Sequence, residues 1–246
     1  MQPFYNEDLA YVHHIGFGDF SRKAGSALLK IFQSSQISSG LVIDLGCGSG
    51  IWSKKLTDSG YRTMGIDFSK SMIELARKTA PKAQFQTSSI HEAELQKCSA
   101  VTALGEGFNY IVGDVSPLSK LEKILEKIAE HLIHGGVLAF DVIVQDEQDS
   151  LQQRSWRKGD DWAVLVETTE QKTQNELTRE ITIFREINGC YRRSFEKHRI
   201  HVFDSAKIVR LLEKNNFDVT VSRNYGEFEL APRRLAFIAT KQGAEK

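Results

Sequence analysis

The sequence predicts an α/β fold, in which a doubly wound, mostly parallel Rossmann-like sheet carries an antiparallel β insertion that forms a lid. From about residue 20 to residue 144, short apolar segments alternate with helical patterns. This alternation is typical of parallel strands that helices cover on both faces of the sheet. After residue 145, successive strand patterns are joined by turns such as Asn188-Gly189, which indicates an antiparallel meander.

Local signals define each element of the core. Apolar segments predict five buried strands, at residues 41–45, 61–66, 83–86, 99–104 and 137–144. Between them, helices are predicted at about residues 50–58, from Ser69 to Pro81, and from Ser116-Pro117 to about residue 134. Beyond the insertion, Asp204 caps a last helix to about residue 215, and strands at 217–225 and 234–240 complete the core.

This pattern divides the chain into two units. Residues 1–144 and 204–246 form the core, with residues 1–35 as an N-terminal helical lid. Residues 145–203 form the insertion, in which a loop-like stretch at 146–160 precedes strands at 162–169, 176–186 and 190–203. Because open α/β sheets bind ligands outside the carboxyl ends of their strands, we expect the insertion to cover that end and to serve as the substrate lid.

Composition excludes several classes of partner. Lys plus Arg and Asp plus Glu both number 32, so the formal net charge is zero and favours neither nucleic acid nor an anionic membrane. The three cysteines form no C-x-x-C pair, which argues against a disulfide framework or a cysteine zinc site and fits a reducing cytoplasm. No apolar run approaches the length of a membrane span. We therefore expect a cytoplasmic protein, a monomer or homodimer, that binds neither nucleic acid nor a membrane.

The strongest motif is a glycine loop, Asp44-Leu45-Gly46-Cys47-Gly48-Ser49-Gly50, between a strand and a helix. Glycines let the backbone turn sharply and approach a ligand closely. The dinucleotide fingerprint would need glycine where Ile51 stands, and no P-loop Lys-Ser/Thr pair follows, so NAD, FAD and nucleotide hydrolysis are not supported. Asp67 ends the second strand about twenty residues later, where a carboxylate is placed to accept both hydroxyls of a ribose.

The segments V-I-D-L-G-C-G-S-G (residues 42–50) and G-I-D-F-S (residues 65–69) resemble those of the class I S-adenosylmethionine-dependent methyltransferases, most closely the small-molecule type with an antiparallel lid. The resemblance implies S-adenosylmethionine as cofactor and S-adenosylhomocysteine as product. It implies that Asp44 orients the methionine end of the cofactor, that the backbone of Gly46, Cys47 and Gly48 lies against it, that Asp67 holds the ribose, and that Phe68 and Met72 flank the adenine.

The third element of this family departs from its usual pattern here. The family places an acidic residue after the third strand to bind the adenine amino group, and the matching residues are Ser88, Ser89 and Ile90, with Ser89 in place of the acid. A hydroxyl accepts that hydrogen bond more weakly than a carboxylate. At the end of the fourth strand, the resemblance places Leu104, Gly105 and Glu106 against the sulfur of the cofactor and the incoming substrate.

The predicted activity is methyl transfer to an oxygen or nitrogen atom of a small molecule. The fourth strand is followed by Gly105-Glu106-Gly107-Phe108, which lacks the Pro-Pro-aromatic signature of amino-methylating nucleic-acid enzymes. Asp141 has no second acidic residue at a convincing spacing, so we assign no metal. The alternative is a regulatory or scaffolding protein that binds the cofactor without transferring a methyl group.

Candidate catalytic residues come from the insertion and from the end of the fourth strand. Glu196 and His198 lie two apart in a predicted strand and so share a face, where a carboxylate can make an imidazole a general base. Glu106 is the competing base, and an ordinary surface Glu-His pair, with catalysis by positioning alone, remains the other reading. In the aromatic N-terminal segment, Tyr11 is the expected lid contact to the cofactor, against the alternative of a helix that merely packs on the sheet.

Overall fold

The computed structural model describes residues 4–146 and 150–243, so the outermost residues of the predicted N-terminal lid and part of the stretch at 146–160 lie outside the described residues. The helices are α1 (Glu7–Phe17), α2 (Asp19–Ser34), α3 (Ile51–Asp58), α4 (Lys70–Thr79), α5 (Pro117–His131) and α6 (Ser205–Lys214). The strands are β1 (Leu41–Leu45), β2 (Arg62–Asp67), β3 (Gln84–Thr87), β4 (Cys98–Ala103), β5 (Leu132–Ile143), β6 (Gln152–Lys158), β7 (Trp162–Gln171), β8 (Glu176–Ile187), β9 (Cys190–His201), β10 (Phe217–Ser222), β11 (Asn224–Tyr225), β12 (Phe228–Glu229) and β13 (Arg234–Lys241).

The central sheet has seven strands in the order β10-β13-β5-β4-β1-β2-β3. Strands β1 to β5 are parallel to their neighbours, and β13 joins β5 and β10 in antiparallel pairing. The chain runs outward from β1 to β3 and then returns to place β4 on the other side of β1. The ends of β1 and β4 therefore form the topological switch point, outside which open α/β sheets bind ligands.

Apolar residues bury both faces of this sheet, as expected for parallel strands. All five residues of β1 are buried. One face packs in a cluster that includes Phe140 and Phe237, whose rings stack 5.0 Å apart, together with the apolar side of α5. The other face packs against α2 and α3 through Phe32 and Trp52. The doubly wound, mostly parallel fold predicted from the sequence is confirmed.

The insertion forms a separate four-stranded antiparallel sheet in the order β6-β7-β8-β9. Strands β7 to β9 match the predicted meander, but residues 152–158 were expected to form a loop and instead form β6. This edge strand is exposed at every residue and mostly polar, so it carries no apolar alternation. It is defined by its antiparallel pairing with the adjacent β7, in which Trp156 lies opposite Leu165. One face of this four-stranded sheet is apolar and packs against Leu9 and Val12 of α1.

Two predicted boundaries differ from the structure. Helix α5 ends at His131 and β5 begins directly at Leu132, whereas the glycine pair at 135 and 136 was expected to separate them. Gly135 instead adopts a left-handed φ of +74° within the extended segment. The strand expected at residues 217–225 is divided into β10 and β11, and β11 pairs with β12 in a short hairpin. Among the described helices, none combines the length and apolar character needed to cross a bilayer.

Candidate active site

A cavity of about 350 Å³ opens beyond the carboxyl ends of β1 and β4, at the topological switch point. Its volume falls in the range of small-molecule sites. Its wall is built by α1, the glycine loop, and the segments that follow β2, β3 and β4. Ten residues predicted as cofactor contacts line it: Gly46, Cys47, Gly48, Asp67, Phe68, Met72, Ser89, Ile90, Leu104 and Gly105. The predicted catalytic residue Glu106 lines it as well.

Backbone hydrogen bonds fix the shape of the glycine loop. Gly46 and Cys47 donate their N–H groups to the carbonyl of Ile66, at 2.7 and 3.1 Å, which fixes the loop to β2. Gly48 has φ +53°, and a Cβ at this position would meet no protein atom within 4 Å, so the backbone faces open space. Gly50 has φ +76°, and a Cβ there would lie 2.9 Å from the Cα of Ala76 in α4. The loop therefore needs glycine both for its turn and for the close approach of two helices.

Asp44 lies beneath the glycine loop, outside the residues that line the cavity. Its carboxylate accepts a hydrogen bond of 2.6 Å from Ser53 in α3 and one of 3.3 Å from Thr102 in β4. Burial raises the pKa of Asp44 to about 7. In this geometry Asp44 joins β1, α3 and β4 under the loop. The contact with the methionine end of the cofactor that the resemblance implied stays a prediction.

Asp67 faces the cavity at the end of β2 and is tied to the loop opposite. Its Oδ2 accepts the N–H of Gly48 at 2.9 Å, and its Oδ1 accepts the N–H of Ser69 at 2.8 Å. Burial raises the pKa of Asp67 to about 6, although these backbone donors act in the opposite direction. A carboxylate has about four lone-pair positions, so two remain for a ligand.

The segment after β3 contributes unevenly to the cavity. Ser89 and Ile90 line it, together with Phe68 and Met72 from the segment after β2. Ser88, which was expected to be a cofactor contact, lies outside the lining, and its hydroxyl donates to the carbonyl of Ser89 at 3.2 Å.

The loop after β4 carries a buried ionic cluster. Gly105 and Glu106 both have positive φ, +76° and +63°, and their N–H groups donate to Asp141 at 2.8 and 3.1 Å. Arg179 of β8 makes a two-pronged ion pair with Glu106, and Arg234 of β13 lies 2.9 Å from the same carboxylate. Burial raises the pKa of Glu106, but the two guanidiniums outweigh it and hold that pKa below its ordinary value. Glu106 is therefore a neutralised carboxylate.

The predicted Glu196-His198 pair forms, but outside the cavity. The imidazole Nε2 of His198 lies 2.9 Å from Glu196 Oε2. The carboxylate also accepts the backbone N–H groups of Tyr5 and Asn6, at 2.7 and 2.8 Å, at the start of α1. His198 is 1% exposed, and its ring is covered by Tyr5 and by Tyr110. The structure therefore brings the two residues together and places them beneath the N-terminal segment, so their catalytic role stays a prediction.

Tyr11 also differs from expectation. It faces the insertion, where its hydroxyl donates to Asp161 at 2.6 Å and the guanidinium of Arg185 lies 3.9 Å from its ring centre. The tyrosine of this region that lines the cavity is Tyr5, whose hydroxyl lies 2.8 Å from that of Tyr110. Burial raises the pKa of Tyr5 to about 12.

Sequence reasoning missed several cavity residues: Tyr5, His13, His91, Tyr110 and Arg234. His13 is the one that a local signal marks, since it precedes Phe17 by four residues on α1 and so shares its face. The two rings stack 6.0 Å apart. Burial lowers the pKa of His13 to about 4, and its Nδ1 has no hydrogen-bond partner within the described part of the chain. Tyr110 and Arg234 reach the cavity only through long-range folding.

Comparison with known proteins agrees with this geometry. The sequence profile of the methyltransferase-domain family matches residues 42–136, which span β1 to the start of β5 and contain the glycine loop and Asp67. A crystal structure of an S-adenosylmethionine-dependent methyltransferase from Clostridium acetobutylicum superposes with a TM-score of 0.81, covering 98% of this chain and 100% of that one at 18% identity. Residues 42–136 match the methyltransferase-domain family, and this match together with the shared fold supports a class I S-adenosylmethionine-dependent methyltransferase. Its cofactor is S-adenosylmethionine.

Two further relatives of this methyltransferase have names that identify sugar substrates. The sugar N-methyltransferase KedS8 from Streptoalloteichus has a TM-score of 0.79, covers 99% of this chain and 96% of its own length, and is 15% identical. A dTDP-3-amino-3,6-dideoxy-alpha-D-glucopyranose N,N-dimethyltransferase from Streptomyces fradiae is 26% identical over 145 residues, which cover 57% of this chain. The aligned segment spans only 55% of that relative's length.

The cavity of this methyltransferase fits its cofactor. Gly48 presents backbone to open space that a side chain would fill, and Asp67 keeps lone pairs for the ribose hydroxyls. Apolar side chains of Phe68, Met72 and Ile90 line the cavity where the family places the adenine. An acidic group and apolar groups thus occur where this ligand needs them.

Proposed function

We propose that this methyltransferase methylates the nitrogen of a small-molecule amine and that it works by positioning, with no general base. When bound, S-adenosylmethionine supplies a methyl group that its positive sulfur already activates. A hydroxyl acceptor keeps a proton that a base must remove, whereas a neutral amine attacks with its lone pair. The choice between oxygen and nitrogen therefore depends on whether the cavity contains a base.

The titratable groups of the cavity are poor bases, and this observation carries the proposal. Glu106 is neutralised by Arg179 and Arg234. His13, whose pKa is lowered to about 4, holds a proton too weakly to take one from a hydroxyl. The lone pairs that Asp67 has left after its bonds to Gly48 and Ser69 are assigned to the ribose hydroxyls, so this carboxylate is engaged when the cofactor is bound. Among the described lining residues, no group is therefore both basic and free.

The acceptor side of the cavity suits a nitrogen that becomes positive. Tyr5, His13, Phe17, Phe20 and Tyr110 present aromatic rings to the cavity. The faces of such rings attract a cation by about 0.5–2 kcal/mol each, so they favour the ammonium that forms as the methyl group is transferred. The adjacent cluster contains two carboxylates and two guanidiniums, which balance formally and leave no excess positive charge to repel it. The named sugar N-methyltransferases among the relatives support the same choice.

We further propose that the N-terminal helix and the insertion together select the acceptor. Asp8 of α1 is paired with Arg192 of β9, and Gly16 is packed so closely on Trp162 of β7 that a Cβ would lie 2.6 Å from its ring. Arg179 extends from β8 to Glu106 in the cavity wall. The insertion therefore reaches the acceptor side both directly and through α1.

Acceptor-dependent methyl transfer tests this function. The protein is incubated with S-adenosylmethionine and either a 3-amino-3,6-dideoxy dTDP-sugar, the amine named for the Streptomyces relative, or the matched 3-hydroxy sugar. We expect mass spectrometry to show methylation of the amine alone, with a rate that rises with pH as the free amine forms. Methylation of the hydroxy sugar alone would contradict the nitrogen assignment. Cofactor binding without transfer to any member of a wider panel of sugar and aliphatic amines would favour the non-catalytic alternative.

A further inference from the structure

We propose that the imidazole of His91 recognises the adenine of the cofactor by accepting a hydrogen bond from its exocyclic amino group. The inference rests on the cofactor assignment, since it gives a ligand-reading role to a residue of the same cavity. It concerns the place in this chain where the usual acidic residue is missing and Ser89 stands instead.

The backbone holds His91 at the cavity wall. The segment begins where Ser88 donates its N–H to the carbonyl of Asp67 at 3.0 Å. It then turns back on itself, with the N–H of Ala93 donating to the carbonyl of Ser89 at 2.9 Å. Lys127 of α5 donates to the carbonyl of Ala93 at 2.5 Å and anchors the end of the turn. The imidazole of His91 lines the same cavity as the apolar residues Phe68, Met72 and Ile90.

The serines of this turn are already engaged. The hydroxyl oxygen of Ser89 accepts the backbone N–H of His91 at 3.3 Å, and the hydroxyl of Ser88 donates to the carbonyl of Ser89. By contrast, the Nδ1 atom of His91 is buried and makes no hydrogen bond to any described residue. A buried polar atom without a partner costs about 1–3 kcal/mol, so a ligand group that satisfies this imidazole is favoured. His91 therefore carries a buried ring nitrogen with unused hydrogen-bonding capacity.

The charge state of His91 suits an amino group. Burial lowers the pKa of His91 to about 4, the positive charge of Lys120 acts in the same direction, and a contact with the backbone of Lys120 opposes both. Near neutral pH the ring is uncharged, so one nitrogen carries a proton and the other an acceptor lone pair. The 6-amino group of adenine donates to such a lone pair, whereas the 6-oxo group of hypoxanthine only accepts. A cavity that reads the amino group must therefore distinguish the two bases.

Calorimetry with two nucleoside ligands tests this recognition without any methyl acceptor. The ligands are S-adenosylhomocysteine and S-inosylhomocysteine, which differ at the 6-position of the purine. We expect the wild-type protein to prefer the adenine compound by about tenfold, equivalent to about 1.4 kcal/mol. His91→Phe keeps an aromatic ring of similar shape without nitrogen and should reduce the preference to about twofold. His91→Asn, which restores an acceptor oxygen, should recover part of it, and His134→Phe, a change of an exposed histidine away from the cavity, should retain all of it.

The outcomes separate the two levels of the argument. Equal wild-type affinity for both compounds, or a full preference in a folded His91→Phe protein, would overturn the role of His91 while leaving the cofactor assignment intact. Failure of the wild-type protein to bind either compound would overturn the cofactor assignment itself. If circular dichroism shows that His91→Phe is unfolded, His91→Asn and His91→Gln decide instead. A preference for the adenine compound below that of the wild-type protein supports the proposal, and the wild-type preference in both variants contradicts it.

Discussion

Replacing Asp67 by asparagine removes one negative charge from the cavity and keeps the shape of the side chain. The carboxylate accepts backbone N–H groups from both sides, at 2.9 Å from Gly48 and 2.8 Å from Ser69, and its remaining lone pairs suit the two ribose hydroxyls. Hydrogen bonds to a charged acceptor are worth about 1.5–3 kcal/mol each. Asparagine keeps one acceptor oxygen, so loss of one ribose bond and weakening of the other cost about 2–4 kcal/mol. We expect affinity for S-adenosylhomocysteine to fall by about 30–1,000-fold in a titration followed by calorimetry.

The pH dependence of the same titration gives an independent check. Because burial raises the pKa of Asp67 to about 6, the free protein takes up a proton on this carboxyl as the pH falls through that value. The ribose hydroxyls need the unprotonated acceptor, so affinity should be constant above about pH 7 and should decline by up to tenfold per unit below about pH 6. Asp67→Asn should lack this decline. The variant retains Asp44, and loss of the Asp67 charge, which helps to raise the pKa of Asp44, moves that pKa downward.

Either of two results would refute this reasoning. Affinity in Asp67→Asn within about threefold of wild type, a difference below about 0.7 kcal/mol, would mean that the carboxylate does not hold the ribose. Wild-type affinity that stays constant down to about pH 5 would mean that the carboxyl does not titrate as its burial requires.

Three further substitutions test the surroundings of the cavity. Glu106→Gln removes the charge that pairs with Arg179 and leaves Arg234 with Asp141 alone, at 3.7 Å. It should lower the free energy of unfolding in urea by about 3–5 kcal/mol, whereas the exposed Glu74→Gln should change it little. Gly50→Ala should destabilise more than Gly60→Ala, because both have positive φ but only Gly50 faces a neighbouring backbone; equal losses in thermal melts would show that the close approach is relaxed. His198→Phe should keep turnover within about threefold, and a loss of about a hundredfold would restore the role of general base predicted from the sequence.

The parts of the molecule that sequence predicts well are those with local causes. Strand β1 and the glycine loop follow directly from a short apolar run and from glycines that need positive φ. Asp67 was placed correctly at the cavity because it ends the strand next to β1, and parallel strands bring their carboxyl ends to one edge. Alternation of strands and helices was sufficient for the doubly wound core.

The residues that sequence reasoning misplaced or missed depend on contacts between distant segments. Tyr11 points to the insertion because α1 presents its apolar face there, a direction that helical periodicity alone does not choose between two possible neighbours. Tyr5 precedes the helix with φ +52°, so no periodic pattern predicts where its ring lies. Arg179 and Arg234 come from different sheets and meet only at Glu106. Strand β6 has no sequence pattern of its own and is defined by its pairing with β7.

Glu196 and His198 illustrate what a periodic pattern can and cannot determine. Alternation in a strand establishes that the two side chains share a face, and they do lie 2.9 Å apart. It does not establish what covers that face. The carboxylate binds the backbone N–H groups that begin α1, where a helix leaves donors unsatisfied and favours negative charge. Helix α1 also places His13 at the cavity wall. We therefore expect Glu196, which lies more than 180 residues away in sequence, to help hold His13 in place through the start of α1. The insertion and the N-terminal helix are therefore expected to act on the acceptor as one structure.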